Sequence, residues 1–163
     1  MELKDLMIKK DKESKAEGLP MTHVEKGWGW ECWIVNKEEY CGKLLYFNNG
    51  KKCSWHYHVL KDEVFYIQSG KILLYYSDYD DISKANTTIL EKGDNFHIYP
   101  GLRHRMEALE DTELFEFSTQ HFDSDRYRIL KGDKRKYMLI LMRQFAIMPE
   151  RENILWLFLI KRI

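Results

Sequence analysis

Short apolar runs separated by turn residues fill the middle of this chain. Turn signals include Asn48-Asn49-Gly50, Ser69-Gly70, Gly93-Asp94 and Pro100-Gly101. Many short strands without a long helical pattern predict an all-β sandwich or barrel. The predicted strands lie near residues 31–35, 43–47, 53–58, 63–68, 71–76, 87–90, 95–98, 103–108 and 112–119.

The two ends of the chain have a different pattern. Residues 1–20 are rich in charge and end at Gly18-Leu19-Pro20, which predicts an N-terminal arm outside the core. Residues 21–133 form the predicted β-domain. The tail, 134–163, contains the apolar runs MLILM and ILWLFLI, whose pattern does not separate helix from buried strand. We interpret this tail as core or as a dimer contact rather than as a membrane or partner surface. Open sheet edges also favour a homodimer.

Charge and cysteine content narrow the class of protein. The 26 basic and 26 acidic residues of the 163 cancel, so the basic footprint of a nucleic-acid binder is absent. Three cysteines without a framework spacing are typical of free thiols in a reducing cytosol. The charged start does not resemble a signal peptide, and no apolar run has bilayer-spanning length. We therefore expect a soluble cytoplasmic protein with no membrane partner.

Two histidines and a glutamate share a predicted strand face. Because strand side chains alternate, His56 and His58 point the same way, and Glu63 opens the next strand. A buried carboxylate beside imidazoles is costly unless a divalent metal binds all of them. His104 follows a turn that could return its strand to this pair. One divalent ion is expected, and Zn, Mn, Fe, Ni and Co all tolerate these ligands.

Two further polar residues could act on a substrate. Glu116 alternates with Phe115 and Phe117, so it either faces the cavity as a general base or remains solvated. Lys43 could reach an anionic substrate group or extend to the surface.

The other histidines and the cysteines are not expected to bind the metal. His97 should face outward, and His23 and His121 lie outside the predicted barrel strands. The cysteines should be small buried hydrophobes. Strand alternation puts Cys53 on the face opposite the two histidines.

These residues resemble the cupin family. Its first motif, Gly-x5-His-x-His-x4-Glu-x6-Gly, is matched by GKKCSWHYHVLKDEVFYIQSG (50–70), and its second by GDNFHIYPGLRHRMEA, with Tyr99 and Ala108 as departures. The resemblance covers roughly residues 28–132. It implies a double-stranded β-helix (jelly-roll) cupin barrel, and it implies the metal ligands His56, His58, Glu63 and His104.

A narrower resemblance is to type II mannose-6-phosphate isomerase domains. The similar segments are WGWE, YCGKLLYF, SWHYHVLKDEVFYIQSGKI and ELFEFSTQHFDSDRYRI; the chain departs at Lys61 and lacks the family's closing Tyr-Gly-Arg. The resemblance implies aldose–ketose interconversion of a sugar or sugar phosphate. The metal would hold the substrate oxygens, Glu116 would move the proton, and Lys43 or Arg103 would meet a phosphate.

Two other classes compete with the isomerase interpretation. Three histidines and a carboxylate also suit an Fe(II)-dependent oxygenase. A sugar- or metal-binding module without turnover would carry the same residues.

Overall fold

The computed structural model describes residues 18–134 of the 163-residue chain. Most of the predicted arm and nearly all of the predicted tail therefore lie outside the described residues. Within the described range there are eleven strands and two short 3₁₀ turns, at Ile82–Lys84 and Asp123–Asp125. The strands are β1 Thr22–Glu25, β2 Gly29–Asn36, β3 Cys41–Phe47, β4 Trp55–Tyr57, β5 Glu63–Ser69, β6 Lys71–Ser77, β7 Asn86–Glu91, β8 Asn95–Ile98, β9 Arg103–Ala108, β10 Thr112–Ser118 and β11 Tyr127–Leu130.

The strands form two antiparallel sheets with the core between them. One sheet has the order β1-β2-β3-β10-β5-β8 and the other β11-β4-β9-β6-β7. The core combines side chains of both, such as Phe65 and Leu114 from the first and Leu74 and Met106 from the second. This all-β jelly-roll arrangement confirms the predicted fold class, although the two sheets are not closed into one continuous barrel.

All nine predicted strands are present, and two strands were missed. The missed strands, β1 and β11, are short and mostly exposed, and each pairs with one neighbour at a sheet edge. Hydrogen bonds to β2 and β4 hold these two strands in the sheets. Neither strand has an apolar pattern of its own from which it could have been predicted. Strand β4 is also shorter than the predicted range 53–58.

Burial alternates strictly along β3 and β10, the paired strands in the middle of the larger sheet. Their inward positions are mostly apolar, with Leu45 and Phe47 on β3 and Leu114 on β10. Two inward positions are charged instead. Lys43 and Glu116 are direct cross-strand partners and both are buried, which locates the polar end of the interior.

Gly70 makes the tight connection between β5 and β6. Its φ of 82° lies in the left-handed region, and an added Cβ would stand 2.3 Å from the Asp111 carbonyl oxygen. Only glycine fits there without strain. The last glycine of the histidine-rich motif therefore sets the turn that follows the strand carrying Glu63.

Candidate metal centre

A cavity of about 540 Å³ opens between the sheets at the polar end of the core. Its inner wall carries the buried residues His56, His58, Lys61, Glu63, His104, Lys43 and Glu116. Its mouth is formed by residues 25–28 and 126–134, from opposite ends of the described chain.

The segment after β11 is held at this mouth by contacts with Lys52 and Gly27. Asp133 donates its N–H to the Lys52 carbonyl at 3.0 Å, and its carboxylate accepts the Lys52 N–H at 2.8 Å. Gly27 packs so closely that a Cβ there would lie 1.8 Å from the Asp133 carbonyl oxygen. The segment after β11 thus completes the rim of the cavity.

Three histidines converge inside the cavity. His56 on β4 is the cross-strand partner of His104 on β9, and His58 follows β4 directly. One ring nitrogen from each lies within 4.8 Å of the others, and the side chains are almost fully buried. This spacing is suitable for three ligands of one metal ion.

Backbone carbonyls orient the three imidazole rings. The Nδ1 atoms of His56 and His104 lie 2.9 Å from the Ser54 oxygen and 3.1 Å from the Leu102 oxygen. Nδ1 of His58 contacts the Asp125 carbonyl. Because a carbonyl only accepts, each Nδ1 carries the proton, and Nε2 is left as the free lone-pair donor that a metal requires.

Burial keeps these imidazoles neutral. Desolvation lowers the pKa of His58 to about 4 and lowers the pKa of His104. For His56, desolvation and the neighbouring histidines hold the pKa well below its usual value. Neutral imidazole is the form that binds metal, so no proton has to be displaced at neutral pH.

Glu63 supplies an independent test of whether a metal fits. Its Oε1 is buried and has no hydrogen-bond partner within residues 18–134. That oxygen lies 3.3 Å from Nε2 of His104 and 4.0 Å from Nε2 of His58. An orphaned carboxylate oxygen facing imidazole lone pairs is unfavourable unless a cation lies among them. The residues present therefore fit a divalent ion held by three nitrogens and one oxygen.

Two lysines and two glutamates form a buried ionic cluster beside the histidines. Nζ of Lys61 lies 2.6 Å from Glu63 Oε2 and contacts Glu116 Oε1. Nζ of Lys43 lies 3.1 Å from the same Glu116 oxygen and 3.1 Å from Nδ1 of His121. We refer to Lys43, Lys61, Glu63 and Glu116 as the ionic cluster.

Mutual charge keeps the central members of the cluster ionised. Burial alone would raise the pKa of Glu116, but Lys61 and Lys43 outweigh it and hold that pKa well below its usual range. Burial would lower the pKa of Lys61, but Glu116 and Glu63 outweigh it and raise that pKa. The cavity therefore presents a carboxylate and ammonium groups next to the histidines.

The sequence left open whether the side chains of Glu116 and Lys43 face the cavity or the solvent. Both side chains line the cavity, and neither reaches solvent: Glu116 is 5% exposed and Lys43 is 2% exposed. Their catalytic role stays a prediction.

Arg103 does not reach the cavity, contrary to the prediction that it could meet a phosphate there. It alternates with His104 and so lies on the opposite face of β9. Its Nε donates to Asp80 Oδ1 at 2.7 Å, Nη1 donates to the Gly101 carbonyl, and the guanidinium stacks on Tyr57.

The alternation argument is wrong for Cys53. Strand β4 begins only at Trp55, so the side-chain alternation does not extend back to Cys53, and this residue lines the cavity. Burial raises the pKa of its thiol to about 11, so it is protonated at neutral pH and is a poor ligand. His97, by contrast, is exposed as expected. His23 is also exposed, but it lies in β1 rather than outside the strands as expected, because β1 pairs with β2.

Three residues that matter to the site were not identified from the sequence. Lys61 is a buried member of the ionic cluster, and His121 is a buried residue that contacts the cluster at Lys43. Burial, and after it the Lys43 charge, lowers the pKa of His121 to about 4. No strand pattern pointed to Lys61, because it precedes β5 and so lies outside that strand's alternation.

Asp125 is the third, and it organises the connection between β4 and β5. Its buried carboxylate accepts the backbone N–H groups of Val59, Leu60 and Lys61 at 2.8 to 3.2 Å. Its carbonyl also contacts Nδ1 of His58. One residue thus fixes the loop that carries His58 toward Glu63. Only the acidic stretch Asp123–Asp125 hinted at it in the sequence.

Comparison with known proteins is consistent with this architecture. Residues 44–117 match the family model described as a cupin domain. A sequence search of curated proteins finds no match. Among residues 18–134, no helix has the length and apolar character needed to cross a membrane.

Solved structures share the fold at low sequence identity. CapF of Staphylococcus aureus, a capsular polysaccharide assembling protein, has a TM-score of 0.61 and 18% identity over 71% of this chain and 33% of that chain. An oxalate decarboxylase of Bacillus subtilis has a TM-score of 0.59 and 16% identity over 66% of this chain and 30% of that chain. The chain spans about a third of the length of these proteins. Residues 44–117 thus match a cupin domain, and the solved structures share the jelly-roll fold of this domain.

Proposed function

We propose that this protein is a metal-dependent cupin that interconverts the aldose and ketose forms of a sugar or sugar phosphate. The observation that carries the proposal is the content of one cavity. It holds three neutral imidazoles, an orphaned carboxylate oxygen and, beside them, the ionised pair Glu116–Lys43. A volume of about 540 Å³ is also in the range of small-molecule sites.

His56, His58, His104 and Glu63 would hold the metal. A divalent ion bound there would polarise a substrate carbonyl and thereby acidify the neighbouring C–H bond. Mn, Fe, Co, Ni and Zn are all compatible with three nitrogens and one oxygen. The Mn(II) centres of Bacillus subtilis oxalate decarboxylase, a protein with a similar fold, support Mn as one of these.

Glu116 would move the proton between neighbouring carbons. It is ionised next to two ammonium groups, which lower its proton affinity. These ammonium groups would have to turn to the substrate oxygen for Glu116 to accept the proton. Lys43 and Lys61 hold that carboxylate in place and would stabilise negative charge that develops on the substrate oxygen.

A carbohydrate substrate has further support from the comparison. CapF, whose fold is similar, is a capsular polysaccharide assembling protein. The type II mannose-6-phosphate isomerase resemblance of residues 28–31, 40–47, 54–72 and 113–129 favours a phosphorylated aldose. We further propose that the protein acts as a homodimer.

Deuterium exchange under strictly anaerobic conditions tests the proposed reaction. The metal-loaded full chain is incubated in D₂O with aldoses and aldose phosphates, and C1 and C2 are followed by NMR. We expect deuterium incorporation and ketose formation without O₂. Glu116→Gln should slow exchange about a hundredfold or more, the scale of a positioned acid–base group.

Glu113→Gln is the matched control on the same strand, because Glu113 lies on the other face of β10 and should retain full exchange. Turnover that requires O₂ would instead support an Fe(II)-dependent oxygenase. Tight sugar binding with no exchange would support a binding module.

A further inference from the structure

Two arginines, Arg126 and Arg128, line the cavity at its mouth. Arg128 is the cross-strand partner of His56, so the two side chains share a sheet face. Arg126 stands immediately before β11, at the end of the 3₁₀ turn Asp123–Asp125.

Among residues 18–134, these arginines line the cavity without an ion pair, as do Lys131 and Lys134 at the rim, whereas the other cavity cations are paired. Lys26 lies 3.1 Å from Glu31, and the lysines of the ionic cluster contact Glu63 and Glu116. Neither Arg126 nor Arg128 makes an ion pair within residues 18–134. In this same range, the Nε of Arg126 is buried without a hydrogen-bond partner.

A buried guanidinium N–H without an acceptor is costly, and the cavity is the space that this residue lines. The guanidinium group presents parallel N–H donors that match the oxygens of a phosphate bidentately. The sequence contained two other candidates for a phosphate contact. Arg103 is committed to Asp80 outside the cavity, and Lys43 is committed to Glu116.

We propose that Arg126, assisted by Arg128, binds the phosphate group of a sugar phosphate at the cavity mouth, with the sugar directed toward the three histidines. This assignment rests on the proposed function, because it names the substrate class of the same site. Arg126 is the specificity-determining residue, and Arg128, which is exposed at the rim, adds charge from the neighbouring position.

The first experiment compares mannose with mannose 6-phosphate by calorimetric titration of the metal-loaded full chain. We expect the phosphate ester to bind about tenfold tighter or more, the scale of a charge-assisted hydrogen bond. Arg126→Gln should remove this preference while leaving the affinity for mannose unchanged, and Arg126→Lys should restore part of it. Arg103→Gln, the matched arginine outside the cavity, should keep the full preference.

A preference that survives in Arg126→Gln would overturn the inference. If that variant does not fold, Arg128→Gln serves instead, since an exposed rim residue can be replaced with little structural cost. It should reduce the preference severalfold, and an unchanged preference in this variant would also overturn the inference.

Inorganic phosphate separates this inference from the proposed function. Phosphate binding that Arg126→Gln weakens about tenfold would support the arginine site even if no sugar is turned over. Conversely, isomerisation of neutral and phosphorylated sugars with equal affinity would overturn the arginine site and leave the isomerase proposal intact.

Discussion

Nζ of Lys61 lies 2.6 Å from Glu63 Oε2 and also contacts Oε1 of Glu116. One buried cation therefore serves carboxylates from two paired strands, β5 and β10. The remaining oxygen of Glu63 faces the histidines without a hydrogen-bond partner in the described part of the chain. Lys61 thus compensates only the side of Glu63 that faces away from the three imidazoles.

We expect Lys61→Met to destabilise the metal-free protein by about 3–5 kcal/mol, the usual cost of removing one partner of a buried ion pair. Two buried carboxylates would lose their shared cation. Urea unfolding measures this loss. Lys84→Met, at a side chain that is 72% exposed, is the control and should change stability by less than about 0.5 kcal/mol. A decrease in the free energy of unfolding of less than about 1 kcal/mol for Lys61→Met would contradict a stabilising role of Lys61 in the ionic cluster.

Replacement of a metal-facing histidine should remove the metal. We expect His56→Ala and His104→Ala each to weaken divalent-ion affinity more than about a hundredfold, since even residues that only orient ligands cost 10–100-fold. Metal content by mass spectrometry of the purified protein, followed by chelator competition, gives the result. His97→Ala, whose exposed ring contacts Asp62, should retain full metal content. Full occupancy in either cavity variant would rule out this site.

Asp125→Ala should weaken metal binding without removing a ligand. The backbone amides of residues 59–61 would lose their shared acceptor, and His58 would lose the fixed position of its carbonyl partner. We expect a decrease of about 10–100-fold in metal affinity, measured by the same competition. Asp123→Ala, at a side chain that is 87% exposed, is the neighbouring control. Equal metal affinities in Asp125→Ala and Asp123→Ala would show that Asp125 does not position the metal ligands.

His121 should contribute to acid sensitivity. Burial and the Lys43 charge lower its pKa to about 4, whereas the unfolded chain has a value near 6.5. Between these values the unfolded state binds a proton that the folded state does not, so stability falls as pH falls from 6.5 toward 4. His121 changes the free energy of unfolding by at most about 1.4 kcal/mol per pH unit. His121→Gln should flatten this dependence in urea unfolding with a chelator present, and an unchanged slope would contradict the assignment.

An apolar patch on the outer face of the larger sheet is where we expect the homodimer contact. The patch is formed by Ile34, Tyr40, Phe115 and Phe117, and Phe117 is 55% exposed. Exposed apolar clusters of this kind are typical of interaction surfaces. Sedimentation at micromolar concentration should give a dimer, and Phe117→Glu should convert it to a monomer. Tyr79→Glu, at an even more exposed aromatic elsewhere, should remain dimeric. A monomeric wild-type protein would exclude the contact.

The sequence was sufficient to predict what depends on local alternation. The inward positions of β5 and β9, including Glu63 and His104, follow from a period of two within each strand. Interactions between distant segments were not predictable in this way. Asp125 reaches the loop after β4 through tertiary contacts, and β11 exists because β4 is there to pair with it. Alternation gave the wrong face for Cys53, because this residue precedes the first residue of β4.

The rim of the cavity joins residues near Gly27 to residues near Asp133, whereas the histidines stand on interior strands. In the proposed function, recognition of the ligand at the rim and chemistry at the metal would therefore be encoded in separate stretches of the gene. Mutations at the rim would then change which molecules enter the cavity while the interior residues stay the same. For protein engineering, the rim is where libraries should be directed if a new substrate is wanted without a new metal site.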